Sequence, residues 1–283
     1  MMKASLREKK VPILMYHSIS KAAAPKFRQF TVSPELFAEQ MAYLHHYRYT
    51  TMTVTQFVSA RAQGMSALPA RPIVLTFDDG YADFYTAALP VLKRYDFTAT
   101  IYIATAFVDG ASCWLRRERE TRRRMLTWQQ VSEIKKSDIE CGAHTHSHPQ
   151  LDTLTASAAG DEIAHSKRVL EDRLGQEVCA FAYPYGYQTA RLRQLVQETG
   201  YSSACAVRHA MSSVTDDPFC LARLMVREAP LDAFAALLTS RIASPVTAAS
   251  WAYRRARTPL WQLVRRSSTS MRHYLQGGWQ PLP

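Results

Sequence analysis

Seven short apolar runs recur along the chain: VPILMYH (11–17), PIVLTFD (72–78), TATIYIA (98–104), DIECGAH (138–144), CAFAYPY (179–185), SSACAV (202–207) and LARLMV (221–226). Between them, apolar residues repeat at three- and four-residue spacing over 34–47, 83–95, 127–136, 156–174 and 188–199, which predicts amphipathic helices. The first of these opens on Ser33, a capping side chain, followed by Pro34, which suits a first helical turn. Strand then helix, repeated, requires parallel strands joined by crossovers. Seven strands in one unit predict an α/β barrel that is closed or nearly closed, with its chemistry at the C-terminal ends of the strands.

At 283 residues, 47% hydrophobic and 21% charged, the chain can build one barrel-sized core and lacks the composition of a disordered protein. Its net charge of +11 is unevenly spread. LRRERETRRR (115–124) holds six Arg against two Glu, and residues 241–283 hold seven Arg with no Lys, Asp or Glu. The expected division is a barrel over 1–240 and a basic, aromatic-containing extension over 241–283. Basic patches attract phosphates, acidic glycans, anionic lipid headgroups or nucleic acid, and otherwise serve as solvated faces. The mixture of Trp, Tyr, Leu and Arg over 251–280 fits docking on an anionic membrane surface or a partner. With no recognised nucleic-acid module beside it, nucleic acid is not the expected partner.

VPILMY is shorter than a secretory signal core, and no run of about 18 apolar residues occurs. Five cysteines (113, 141, 179, 205, 220) form no C-x-x-C pair, which fits reduced thiols. The expected location is the cytoplasm, peripheral at the inner face of the membrane. Cys141, Cys179 and Cys205 sit in apolar runs and are expected as small core residues.

Polar residues gather where the runs end. Asp78, Asp79 and Gly80 close the second run, His144, His146 and His148 the fourth, Tyr185 and Gly186 the fifth, and His17 the first. Alone, Asp-Asp-Gly reads equally well as a turn beside a helix cap, and the histidines as a surface cluster. On one rim, two histidines and a carboxylate from another strand make an open metal site with room for water and substrate. A helical turn would stack His144 with His148, whereas extended chain would bring together 144 with 146 or 146 with 148. The adjacent aspartates diverge, so one can ligate while the other takes a proton.

TFDDG (76–80) and HTHSH (144–148) resemble the first two motifs of the polysaccharide deacetylases, carbohydrate esterase family 4, and FAYPYG (181–186) resembles the third. The resemblance spans residues 11–227. It implies a distorted seven-stranded (β/α) barrel and an enzyme that removes N-acetyl groups from an amino-sugar glycan or glycan precursor. It also implies Asp79, His144 and His148 as ligands of a divalent metal, most naturally zinc, and sets His146 aside as a spacer. Asp78 becomes the general base toward a metal-activated water, and the Tyr185 N–H a donor to the oxyanion.

Two departures from the family pattern bear on mechanism. Where many members carry an arginine that orients the base, Ala182 and Tyr183 stand here, and where many carry a Leu-x-His acid, this chain has Leu221-Ala222-Arg223. Arginine holds its proton near neutrality. The pattern resembles the subgroup that includes poly-N-acetylglucosamine deacetylases, and Arg223 is the candidate to orient Asp78. His17 is the candidate acid or substrate contact, against a reading as a core histidine, with His209 a weaker one.

Trp114, Trp128, Tyr183, Tyr185 and Tyr187 are candidate sugar platforms, although the helical spacing of Trp128 favours the core. Two alternatives stay open: a hydrolase of other amide or imide bonds, and a low-turnover glycan-binding protein.

Overall fold

The computed structural model describes residues 10–207 and 209–239, so the extension over 241–283 lies outside the described residues. Its main strands are β1 (Ile13–Tyr16), β2 (Thr50–Met52), β3 (Pro72–Phe77), β4 (Thr100–Ile103), β5 (Glu140–Ala143), β6 (Ala180–Ala182), β7 (Ser203–Cys205) and β8 (Leu224–Met225). All except β2 fall inside the seven apolar runs. They pair in parallel in the order β7-β6-β5-β4-β3-β1-β8.

The two ends of this row meet. Leu221, just before β8, donates its N–H to Ala204 O at 3.0 Å and accepts the Ala206 N–H at 2.9 Å. The last run therefore touches β7 with its start and β1 with its end, and the result is a distorted seven-stranded barrel. The eighth strand, β2, pairs with the first half of β3 (Thr50↔Pro72 to Met52↔Val74), on the edge whose second half is taken by β4.

The helices are α1 (Pro34–His46), α2 (Val54–Gln63), α3 (Leu89–Arg94), α4 (Trp128–Lys135), α5 (Ala156–Leu174), α6 (Ala190–Glu198) and α7 (Leu231–Thr239). Five of them answer the periodic stretches, and α2 and α7 are additions. Ser33 caps α1 by accepting the Leu36 N–H, with Pro34 in the first turn. The helix expected over 83–95 differs in one respect: α3 is preceded by a π turn, Phe84–Ala88. Pro90 has no N–H to give to Thr86, and its ring crowds that carbonyl, so the turn before it widens. Among the described residues no helix is long and apolar enough to cross a membrane.

Alternation along the strands builds two cores. Ile13, Val74, Tyr102, Ala180, Ala182 and Cys205 cluster with Val54 and Phe57 of α2. The residues between them, such as Leu14, Leu75, Phe77 and Phe181, belong to the cluster under the outer helices. This is the two-residue period of barrel strands, with one face inward and one outward. Helix α2 closes the N-terminal end of the barrel. The Glu140 carboxylate, at the start of β5, accepts the Val54 and Thr55 N–H groups at 3.1 and 3.4 Å, a favourable place for negative charge at a helix start. Cys141 and Cys205 are buried as expected, whereas Cys179, just before β6, is only half-buried.

Gly142 makes room for the interior. A Cβ there would lie 2.7 Å from the Tyr102 ring and 2.8 Å from Ala180 O. Gly142→Ala is expected to destabilise the protein by about 1–3 kcal/mol through overpacking, lowering Tm by about 3–10 °C in a thermal melt.

Candidate active site

Directly after β3 the chain turns sharply, with Asp79 at φ +78° and Gly80 at φ +84°. Asp is among the few residues that enter this left-handed region readily. The turn sends the two aspartates to different partners.

Asp78 meets Arg223. The guanidinium donates Nη1 to Asp78 Oδ1 at 2.6 Å and Nη2 to Oδ2 at 2.8 Å, a paired fork on the carboxylate. Two further donors are also used, Nε on Ala206 O and Nη1 on Thr76 Oγ1, both at 3.2 Å. The Tyr102 ring lies 5.6 Å from the guanidinium carbon, and Arg223 has no solvent exposure. Burial pushes the Asp78 carboxyl up, but the charges of Arg223 and His144 outweigh it and hold the group below its ordinary range.

Asp79 meets the histidines. Its Oδ1 is 3.4 Å from His144 Nε2 and 3.1 Å from His148 Nε2. The ligand atoms of the three buried residues all lie within 4.8 Å of one another. His144 Nδ1 is 2.8 Å from Ala182 O. A carbonyl can only accept, so Nδ1 carries the hydrogen and a neutral His144 turns the lone pair of Nε2 on Asp79. Two acceptors facing each other in a buried site need a positive charge between them, either a proton or a metal ion. The donors suit a metal: tetrahedral zinc with bonds of about 2.0–2.1 Å would set its ligands about 3.3 Å apart. His148 Nδ1 is buried with no hydrogen-bond partner among the described residues.

His144 and His148 converge, but not by a helical turn. Residues 144–148 form a loop in which Thr145 has φ +66° and His148 φ +57°. Thr145 Oγ1 holds this shape by donating to His144 O at 2.5 Å and accepting the His148 N–H at 3.1 Å. Glu162 of α5 clamps the tip, its carboxylate accepting the N–H groups of His146 and Ser147 at 2.9 and 2.8 Å and the Ser147 hydroxyl. His146 stays apart from Asp79, with Nδ1 on Thr105 Oγ1 at 2.9 Å and its ring against His165. Sequence reasoning missed Glu162, which looks like any acidic residue on a helix face.

A cavity of about 260 Å³ opens over these groups. Asp78, Asp79, His144, His148, His17 and Tyr185 all line it, and His209 does not. The His17 ring sits 5.1 Å from that of Phe30. Burial is the main influence on its pKa and lowers it, against the opposing pull of Asp79 and Asp78. Tyr185 adopts φ +60°, ψ +1°, followed by Gly186 at φ +74°. A Cβ on Gly186 would come within 2.5 Å of Val207, so this tight turn requires glycine. The Tyr185 N–H makes no hydrogen bond among the described residues.

The aromatic candidates separate. Trp114, Tyr185 and Tyr187 line the cavity, Trp128 packs on the outer core, and Tyr183 is fully buried with its hydroxyl on Phe219 O. Tyr183 is therefore a structural residue and not a sugar platform. One wall rests on Arg123, which donates to Asp83, Ser18 and Ala22 O and lies 4.6 Å over the Phe27 ring. Its neighbour Glu120 accepts the Ala24 N–H.

A family model described as polysaccharide deacetylase matches residues 66–204. YxkH of Bacillus subtilis (strain 168) is 30% identical over 217 residues, which cover 77% of this chain and 71% of that protein. The chain belongs to the polysaccharide deacetylase family and is a glycan deacetylase. It is 32% identical over 136 residues to the poly-beta-1,6-N-acetyl-D-glucosamine N-deacetylase of Escherichia coli (strain K12), covering 47% of this chain and 20% of that longer protein. Among solved structures, the Streptococcus pyogenes deacetylase PplD in complex with acetate is similar with a TM-score of 0.69 and 27% identity, over 81% of this chain and 99% of that one.

Proposed function

We propose that this chain hydrolyses the acetamide of an N-acetylated amino-sugar glycan, with Asp79, His144 and His148 holding a divalent cation, zinc by the nature of the donors. The observation that carries the proposal is the His144 Nε2 lone pair facing Asp79 Oδ1 in a buried site. A cation bound there supplies a Lewis acid that polarises the acetamide carbonyl and makes water a stronger acid.

The chain's own residues do the rest. Asp78, kept ionised by Arg223 and exposed to the cavity, takes a proton from the water that attacks the carbonyl carbon. Its pairing with Arg223 uses one lone pair on each oxygen and leaves others for that proton. The Tyr185 N–H donates to the oxygen that becomes negative in the tetrahedral intermediate. His17, the one histidine of the cavity lining outside the triad, gives a proton to the leaving nitrogen as the C–N bond breaks, releasing acetate and a free amino sugar.

Acetate release from N-acetylglucosamine oligomers by the zinc-loaded full chain tests this reading, and β-1,6-linked oligomers are the first to try. The expected result is one acetate per free amine formed. Binding of the oligomers without release under any divalent metal would mark a glycan-binding protein, and release only from cyclic amides would mark a different hydrolase.

A further inference from the structure

The basic stretch at 115–124 has a definite place in the fold. It forms the tip of an excursion closed by the Ala111↔Arg124 bridge and by the Ser112 N–H on Arg123 O. The tip stands at the cavity mouth, where Trp114, Leu115 and Glu118 of this excursion line the opening. Its arginines divide into two kinds. Arg123 is turned inward and paired with Asp83 and Glu120. Arg116, Arg117, Arg119, Arg122 and Arg124 are exposed, and none forms an ion pair among the described residues. Nor can residues 241–283 neutralise them, because that extension contains no Asp or Glu.

Once Glu120 is engaged with Arg123, the stretch 115–124 keeps five exposed arginines against a single further carboxylate, Glu118, which lines the entrance. Like charges on one turn repel each other, and a neutral sugar polymer offers them no counter-charge. The turn is also held in shape: the Glu120 N–H bonds Leu115 O, the Arg119 N–H bonds Arg116 O, and Arg119 sits at φ +61°. The tip therefore has a fixed backbone, and its Arg117 and Glu118 lie close enough to Tyr185 to act electrostatically on its hydroxyl, where the exposed Tyr185 and Tyr187 rings stack at 6.4 Å.

We propose that the glycan accepted here is anionic, carrying a phosphate or carboxylate oxyanion on the sugar next to the acetamido unit, which Arg116, Arg117 and Arg119 bind at the mouth. The inference rests on the deacetylase reading and deepens it. Guanidinium suits the role because its planar fork matches the two oxygens of a phosphate or carboxylate.

The test measures binding and acetate release on the zinc-loaded full chain with three probes. They are a neutral N-acetylglucosamine tetramer, the same tetramer with a phosphate monoester on one unit, and one with a uronic acid in that position. The expected result is about tenfold tighter Kd for at least one anionic tetramer in low salt, as a few partly exposed charge pairs would give. That advantage should fade as salt rises and disappear in Arg116→Gln/Arg117→Gln/Arg119→Gln, whose melting curve confirms folding. Whichever anionic tetramer keeps the advantage identifies the oxyanion. Equal Kd for all three probes would overturn the inference, as would a triple variant that weakens them all alike. Binding of phosphatidylglycerol vesicles that is lost in the triple variant, with equal Kd for the tetramers, would assign the arginines to a membrane surface instead. Absence of acetate release from every probe would overturn the deacetylase reading, while the three Kd values would still decide the charge preference.

Discussion

Asp78→Asn is expected to lower kcat for acetate release by about 10²–10⁴-fold, the usual contribution of a positioned general base, while KM and zinc affinity change little. An amide oxygen keeps the shape of the carboxylate but cannot hold the proton taken from water. The substitution also leaves Arg223 buried without its anion, so the protein should lose stability as well as activity. The reverse change, Arg223→Met, leaves the largely buried Asp78 carboxylate without its counter-charge and is expected to destabilise by about 3–5 kcal/mol. Combining the two should recover part of that stability without recovering activity, because the double variant buries neither charge alone. Denaturant melts and steady-state acetate release on the same three proteins check both halves. If Asp78→Asn retained most of its turnover, Asp78 would be only the counter-ion of Arg223.

The second large effect concerns the Asp79 group. Asp79 touches both histidines through one oxygen, so Asp79→Ala should weaken zinc binding by more than the about 10–100-fold that follows loss of an outer partner of a ligand. His148→Ala should do the same, and acetate release should fall with it. His146→Ala should leave zinc affinity close to that of the parent, because His146 faces Thr105 and His165. Stripping the parent with a chelator should abolish release, and added zinc should restore it. Competition with a chromophoric chelator reads the affinities directly.

Much of the fold was legible because its signals are local. The central strands are buried throughout, β1 at all four residues and β3 at all six, so each appears as an unbroken apolar run. Polar residues at the ends of those runs marked the rim for the same reason. Strand β2 escaped because Thr50-Thr51-Met52 is short, polar and partly exposed, and it exists only through its pairing with β3. Helix α2 did carry a local signal, the reciprocal cap between Thr53 and Gln56, which reads as the start of a helix.

Within the site, residue types were legible and most partnerships were not. The pairing of Asp78 with Arg223 spans 145 positions, and it was legible only through the departure of Leu221-Ala222-Arg223 from the family pattern, since no local periodicity links the two residues. The loop holding His144 and His148 depends on positive φ at Thr145 and on Glu162 from a distant helix, neither of which periodicity can reveal. The arginine patch read as uniform in sequence, yet Arg123 alone is drawn into the wall of the cavity.

Asp79, His144 and His148 are proposed as a single metal site beside a separate base, Asp78. Calorimetric titration of zinc into the chelator-stripped full chain tests it most directly. The expected result is one ion per chain at that site, lost in His148→Ala and kept in Asp78→Asn. Undiminished zinc binding by His148→Ala, or its loss in Asp78→Asn, would mean that these three residues are not the metal ligands or that Asp78 is one of them.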